Sequence, residues 1–298
     1  MSKIKNTKSK KVASKKPLIG FIGQGFIGKN YSDDFENRGY EVVRYALEEQ
    51  YAGNKEKIKN CDIVFIAVPT PTTPKGYNAD IIKKVLPLSG VGSIVVLKST
   101  ILPGLTKKIQ EEFPDRIVIH SPEFLSESTA AEDASHPFMN IVGITHNTAK
   151  HKKAAEKVHS VLAPAPYHKT VSSNEAEIIK YTHNCSGYTQ IIFFNMMYDL
   201  AVKLGVDWKN IEQAVKADPF IPNRYASPLH KSGRGAGGHC FIKDFAAFSD
   251  SYKKMVGEKE GKAVLESMAK ENIKLLVESE KDLDLLEGVY GSKVVKQK

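Results

Sequence analysis

Apolar residues in this chain fall in short unbroken runs separated by amphipathic stretches, a pattern that predicts buried strands alternating with helices. The first run is Pro17 to Ile22. A glycine-rich turn, Gly23-Gln24-Gly25-Phe26-Ile27-Gly28, follows and opens a helical pattern that lasts to Asn37. Further strands are expected over Glu41 to Tyr45, Asp62 to Val68, Ser93 to Lys98, Arg116 to His120 and Asn140 to Ile144. Strands apolar at consecutive positions are covered on both faces, which implies a parallel sheet with helices on either side. Such sheets bind ligands beyond the carboxyl ends of their strands. Pro69-Thr70-Pro71, Ser99-Thr100 and Ser121-Pro122-Glu123 all fall at those ends.

Near Ser173 the pattern changes. Ser172 or Ser173 can cap a helix, with Glu175 and Glu177 in its first turn. No proline interrupts Val171 to Ala217, and Ile178, Ile179, Tyr181, Ile191, Ile192, Phe194, Met197, Leu200 and Leu204 predict one long helix. A helix apolar on several sides is buried between domains or subunits. A shorter helix is expected over Asp207 to Ala217, then a loop rich in proline and glycine from Pro219 to Gly238. Two more helices are expected, near Phe241 to Val256 and Lys262 to Glu278. The fold class is therefore α/β, a doubly wound Rossmann-type parallel sheet followed by a helical central, dimerising domain. The expected division is a basic tail (1–16), a dinucleotide-binding domain (17–171), a helical domain with its long connecting helix (172–290) and a frayed end (291–298).

Charge changes this picture little. The net charge is +9, but seven lysines and no acid lie within residues 1–16. The other 36 basic residues face 34 acidic ones, so the folded part is nearly neutral and no specific nucleic-acid partner is expected. The tail reads as a disordered, solubilising extension, with loose polyanion binding as the other reading. It has no apolar stretch of the kind a secretion signal needs, and no run reaches the roughly 20 residues of a membrane span. Three cysteines, Cys61, Cys185 and Cys240, form a sparse, odd set. That favours reduced thiols in a cytoplasmic protein, and no spacing suggests a metal site.

The glycine turn follows a strand and opens a helix, the context that makes it a dinucleotide fingerprint. Gly23 permits the tight turn, Gly25 the approach of a pyrophosphate, and Gly28 the packing of helix on sheet. The acid that usually ends the second strand is replaced by Ala46; Glu48 or Glu49 can reach in from the next turn. NAD is the expected cofactor, and Arg44 leaves NADP open. A second glycine-rich segment, Gly233-Arg234-Gly235-Ala236-Gly237-Gly238, lets the backbone approach a ligand and places Cys240 at the start of a helix. A helix N-terminus and nearby cations lower a thiol pKa, which would make Cys240 a thiolate nucleophile. Cys61 and Cys185 read as small buried thiols. On the long helix Lys180 and Asn184 share a face with Glu177, fit either for an oxyanion or for an ordinary solvated face.

Taken in order, these motifs are Gly23-x-Gly25-x-x-Gly28, Val68-Pro69-Thr70-Pro71, Lys98-Ser99-Thr100-Ile101-Leu102-Pro103-Gly104, Pro122-Glu123-Phe124-Leu125-x-Glu127, Glu177-Ile178-Ile179-Lys180-Tyr181-x-x-Asn184 and Gly237-Gly238-x-Cys240-Phe241-x-Lys243-Asp244. The set resembles the UDP-glucose/GDP-mannose dehydrogenase family over about residues 18–250. His239 resembles the relatives that oxidise N-acetylhexosamine nucleotides, and Lys243-Asp244 those that act on UDP-glucose. The resemblance implies oxidation of a nucleotide-sugar primary alcohol to a carboxylate, with Cys240 attacking the aldehyde. It implies that Thr100 and Asp244 position a water, Glu123 acts as base, and Lys180 and Asn184 hold oxyanions. Cofactor contacts would come from Gly23, Gly25, Phe26, Ile27, Gly28, Pro69, Thr70, Thr100 and Glu127. Substrate contacts would come from Phe124, Leu125, Lys180, Gly237 and Lys243. The family's usual third domain grips the nucleotide, and about 54 residues follow Asp244 here, so a short form lacking that domain is expected. A homodimer, or a separate partner supplying nucleotide contacts, would compensate. Two other readings stay open: a catalytically silent NAD-binding assembly module, and a one-step hydroxyacid-type dehydrogenase.

Overall fold

Strands apolar at every position can only be satisfied at the centre of a covered sheet. The computed structural model, which describes residues 16–296, places them there. In chain order the elements begin with β1 (Ile19–Ile22), α1 (Phe26–Asn37), β2 (Val42–Tyr45), α2 (Glu49–Ala52), β3 (Ile63–Ile66), β4 (Thr72–Thr73) and β5 (Gly76–Tyr77). Next come α3 (Asp80–Val85), β6 (Ile94–Leu97), α4 (Leu105–Glu112), β7 (Ile117–His120), α5 (Ala130–Ser135), β8 (Met139–Ile144), α6 (Ala149–Val161) and β9 (Tyr167–Ser172). The helical part comprises α7 (Ser173–Leu204), α8 (Trp208–Ala217), α9 (Gly238–Met255), α10 (Lys259–Glu278) and α11 (Leu283–Tyr290).

Seven strands form one sheet in the order β2-β1-β3-β6-β7-β8-β9. Its register explains the unbroken apolar runs. Phe21, Phe65, Val96 and Ile119 lie side by side across β1, β3, β6 and β7. They belong to the core on one face, beneath Phe35 and Val158. Their neighbours Val64, Val95 and Val118 also align and enter the core on the other face, with Ile58, Ile82 and Ile109. Phe21 stacks on Phe65 with ring centroids 4.9 Å apart.

The sheet is mostly parallel rather than wholly so. β8 runs antiparallel to β7, pairing Ile119 with Ile144, and β9 returns parallel to β8. Antiparallel neighbours need no crossover to the far end of the sheet. The connection from Ser121 to Phe138 therefore stays at the carboxyl end, where it helps build the site. β9 was not expected from the sequence because its residues are almost all exposed at the sheet edge and show no apolar run.

The long helix α7 starts at a capping box. Ser172 Oγ accepts from Glu175 N–H while Glu175 Oε2 accepts from Ser172 N–H. It ends 32 residues later at Gly205 in the left-handed conformation, φ 67°. Gly143 lets α7 lie against β8: a Cβ there would sit 2.6 Å from Ala176 Cβ. Tyr188 of α7 stacks on Phe245 of α9 at 3.8 Å, which fixes the two helices that carry the chemistry. Of the basic tail only Lys16 lies within the described residues; it donates to Arg38 O at 2.6 Å and lies over the Tyr40 ring. Val294 and Val295, in the segment expected to fray, pack with Leu286. No helix among the described residues is long and apolar enough to cross a membrane.

Candidate active site

The strand order reverses between β1 and β3, and the crevice at such a point accepts ligands. The three glycines there meet different surroundings. A Cβ on Gly23, φ 92°, would lie 2.4 Å from Ala67 O, and one on Gly28 would lie 1.8 Å from Gly23 O. A Cβ on Gly25 would meet nothing within 4 Å. Gly23 and Gly28 thus serve the turn and the packing, while Gly25 opens onto free space. Gly25 caps α1 with no side-chain hydrogen bond, so the first N–H groups of that helix face outward. Gln24 Oε1 is buried without a hydrogen-bond partner beside them. This is a cradle fit for a pyrophosphate. Phe26 is half exposed at its edge, and Ile27 packs into the core below.

Past β3 and β6, Thr70 Oγ1 donates to Thr100 O at 3.1 Å, and Tyr77 OH donates to the same carbonyl at 2.9 Å. Ser99 Oγ donates to Val68 O at 2.6 Å, so the Pro69 and Thr100 segments are tied together. The short β4–β5 hairpin that brings Tyr77 in carried no signal in the sequence.

Glu123, Lys180, Asn184 and Asp244 form two buried pairs. Lys180 Nζ donates to Glu123 Oε1 at 2.9 Å and to Glu123 O at 2.7 Å. Glu123 Oε2 accepts from Leu125 N–H at 2.7 Å, and Lys180 lies over the Phe124 ring. One turn along α7, Asn184 Nδ2 donates to Asp244 Oδ2 at 2.6 Å, and Lys243 pairs with Asp244 Oδ1. Burial opposes the charge on Glu123, but Lys180 outweighs it and holds the carboxyl below its ordinary range. Burial likewise opposes the Lys180 charge, and Glu123, Cys240 and Asp244 together raise it. The solvated-face reading of this helix is therefore excluded: Glu177, Lys180 and Asn184 are all buried.

Cys240 stands in the first turn of α9; the residue as a whole reaches the surface while its sulfur is crowded by protein, within electrostatic reach of Lys180, Lys243, Glu123 and Asp244. The expected depression of its thiol pKa is not found. Burial of the sulfur, then Asp244, push the thiol above its ordinary value, and Lys243 and Lys180 only partly offset them. Cys61 and Cys185 are pushed up to about 12, mainly by burial, as inert thiols should be.

Glu177 does not join this group. Its carboxylate accepts from Gly104 N–H at 2.6 Å and Thr106 N–H at 2.8 Å, capping α4 and tying it to α7. Glu127 is exposed and pairs with Lys231 at 2.8 Å. Gly237 faces Asp282 and Lys281 rather than open space, since its Cβ would lie 2.0 Å from Asp282 Oδ2. Arg44, which had left NADP open, is held by Asp33 and Glu36 at 2.7 Å each.

Lys98 carried no assigned role. It is buried, donates to Ser121 Oγ at 3.3 Å and lies over the Tyr31 ring. Burial above all, helped by Lys180 and opposed by Glu123, lowers its amine to about 7. An unfolded chain binds a proton that the native one refuses between that value and the ordinary 10.5, so stability should rise with pH through this window. Lys98→Met is expected to flatten that slope and to stabilise the fold by a few kcal/mol at pH 6. Urea unfolding at pH 6 and 9 measures both effects; an equal slope in the variant rejects the assignment.

The family model of the NAD binding domain of the UDP-glucose/GDP-mannose dehydrogenase family matches residues 35–163, and that of the family's central domain matches residues 174–272. This chain belongs to the UDP-glucose/GDP-mannose dehydrogenase family. A UDP-glucose 6-dehydrogenase of Rickettsia conorii is 31% identical over 229 residues, which are 73% of this chain and 50% of the relative. The chain thus spans about half the length of that relative. A UDP-glucose dehydrogenase from the hyperthermophilic archaeon Pyrobaculum islandicum shares the fold, with TM-score 0.76 and 24% identity, over 91% of this chain and 73% of that one. The fold is also that of a Mycobacterium tuberculosis 3-hydroxyisobutyrate dehydrogenase, with TM-score 0.68 and 15% identity, over 94% and 98% of the two chains. The central-domain match covers the Lys180–Asn184 helix, and the NAD-binding-domain match, which begins past the Gly23–Gly28 turn, covers the elements from β2 to α6.

Proposed function

We propose that this family member oxidises the primary alcohol of a nucleotide sugar, of UDP-hexose type, to the uronate, with NAD as oxidant and Cys240 as covalent nucleophile. The observation that carries the reading is that two buried pairs, Lys180–Glu123 and Asn184–Asp244, lie within electrostatic reach of a cysteine at a helix start. A protein that only binds NAD has no need of that set. NAD supplies a hydride acceptor for each of two oxidations. In the first, a hydride leaves the carbinol carbon and the hydroxyl proton passes to a water held by Thr100 and Asp244, so that the alcohol becomes an aldehyde. Cys240 Sγ, losing its proton, then bonds to the aldehyde carbon, and the oxygen becomes the thiohemiacetal hydroxyl. Loss of a second hydride and that hydroxyl proton leaves a thioester. Glu123 takes a proton from water as it attacks; the C–S bond breaks, releasing carboxylate and thiol. In this reading Lys180 Nζ and Asn184 Nδ2, which in the free site donate to Glu123 and Asp244, hold the developing oxyanions.

The test is absorbance of reduced cofactor, with NAD and a panel of UDP- and GDP-sugars. Two cofactors reduced per sugar establish the reaction. No reduction, with NAD still bound, would favour the silent module. The near-complete match to the 3-hydroxyisobutyrate dehydrogenase fold supports a second reading, one-step oxidation of a hydroxyacid. That reading predicts one cofactor per substrate and no loss in Cys240→Ala.

Arg44, neutralised by Asp33 and Glu36, supports NAD over NADP. NADP is expected to show a KM at least about tenfold higher, since the Arg44 guanidinium that could meet its 2′-phosphate is already paired with two carboxylates. Equal KM values reject this.

We also propose a homodimer formed through α7. Ile178, Phe193, Met196, Leu200, Val202 and Leu204 are each more than half exposed. So much apolar surface on one helix marks an interface. Leu200→Glu is expected to convert a dimer to a monomer in sedimentation velocity; a monomeric wild type rejects the dimer.

A further inference from the structure

The Gly233–Gly238 loop delivers Cys240 to the site, yet its shape is set by residues far along the chain. Arg234 N–H donates to Ser279 Oγ at 2.9 Å. Asn272 takes both backbone groups of Ala236: Oδ1 accepts from its N–H at 2.7 Å, and Nδ2 donates to its carbonyl at 3.0 Å. Lys281 Nζ donates to Gly235 O at 3.0 Å and to Gly233 O at 3.4 Å. Asp282 Oδ2 accepts from Gly238 N–H, the first residue of α9, at 2.8 Å. All four partners lie in α10 or in the turn from it into α11.

Packing repeats this arrangement. A Cβ on Gly233 would lie 2.4 Å from Ser279 Cβ, and one on Gly235 would lie 3.1 Å from Asn272 Oδ1. With Gly237 against Asp282, three glycines of the loop make room for the C-terminal turn. The sequence had suggested that they make room for a ligand. Asn272 and Lys281 are almost wholly buried, so neither serves solvent. The turn is itself in an uncommon conformation, with φ 51° at both Glu280 and Asp282. Such backbone persists where its surroundings over-determine it. From the other side, Arg234 reaches α7, pairing with Asp199 at 2.6 Å and donating to Asn195 Oδ1 at 2.8 Å.

We propose that Asn272, Ser279, Lys281 and Asp282 are positioning residues, a C-terminal cast that shapes the Gly233–Gly238 loop and so aims Cys240. The proposal rests on the reading of Cys240 as nucleophile for its catalytic part only. A loop of glycines has little conformational preference of its own. Without the cast, Cys240 would sample many positions, and reaction rates fall steeply when a nucleophile is misplaced by about 1 Å.

The experiment uses the full chain with Asn272→Ala and Asp282→Gly. Glycine at 282 removes the carboxylate while accepting the positive φ without strain. Hydrogen exchange is followed by peptide mass spectrometry, beside Cys240 alkylation and NAD reduction. Both variants are expected to speed exchange in residues 233–240 about tenfold or more, leaving β1, β3 and β6 unchanged. Alkylation of Cys240 should change by at least about threefold, and kcat should fall about tenfold or more, with KM for NAD held within about twofold. Asp282→Asn, whose amide oxygen still accepts from Gly238, is expected to restore all three. Unchanged loop exchange in both variants overturns the proposal, as does equal acceleration throughout the chain. Exchange and alkylation are read without substrate. A wild type that oxidises no nucleotide sugar would therefore remove the functional reading and leave the cast to stand or fall on its own.

Discussion

Cys240→Ala is expected to end production of carboxylate, with loss of the second cofactor reduction by about 1000-fold or more. The reason is chemical. An aldehyde has no hydride to give at neutral pH until a nucleophile adds to it, and the proposed nucleophile is Cys240 Sγ, within electrostatic reach of Lys180, Lys243, Glu123 and Asp244. The first hydride transfer needs no sulfur, so bound aldehyde should accumulate and a single turnover should stop at one reduced cofactor per site. Rapid-quench analysis of sugar oxidation state, beside absorbance, measures this. Full two-cofactor turnover in the variant would falsify the covalent mechanism. NAD affinity should be unaltered, because Cys240 is assigned no contact with the cofactor.

Lys180→Met carries the second large effect, on stability as well as rate. Lys180 and Glu123 have side chains only 4% and 5% exposed. Removing one partner of a buried pair strands the other charge and costs about 3–5 kcal/mol. In the wild type the Glu123 carboxyl lies below its ordinary range and the Lys180 amine above its own. The stability due to Glu123 is lost only as pH falls through its depressed value, and that due to Lys180 only as pH rises through its raised value. The pair is therefore intact across the whole neutral range. In Lys180→Met, burial acts on Glu123 against only the Leu125 N–H and Lys98, each a weaker influence than burial, so its carboxyl should rise and the variant should become more stable as pH falls from 8 to 5, opposite in sign to the wild-type contribution of this carboxyl. The double variant Lys180→Met/Glu123→Leu should recover most of the stability and none of the activity. Recovery of turnover with stability would show that the pair is only structural.

How far the chain could be read in advance depended on whether its signals were local. β1, β3, β6 and β7 are apolar at nearly every position because both faces of the sheet are covered, and this is visible without any neighbour in space. Gly23, Gly25 and Gly28 act within one turn, and the Ser172–Glu175 capping box within three residues, so their roles were legible as well. β9 was not, because its exposed residues mimic a loop. Nor was the antiparallel step at β8, since one strand's direction depends on where its connection runs.

The candidate site divides in the same way. Residue types and spacing determined by themselves that Lys180 and Asn184 share a helix face and that Cys240 begins a helix, because 3.6-residue periodicity and glycine punctuation are properties of sequence. Only the tertiary structure decided which groups they meet. Lys180 finds Glu123 across 57 positions and Asn184 finds Asp244 across 60. Glu177, on the same face, caps α4 instead. The direction of the Cys240 shift was likewise undecidable from the chain, because it is a balance of burial and Asp244 against Lys243 and Lys180. The glycines of the second loop were read as openings for a ligand, and the fold fills three of them with α10 and the turn after it. Charge, burial and close approach are sums over neighbours in space, and a linear sequence carries the terms without the distances.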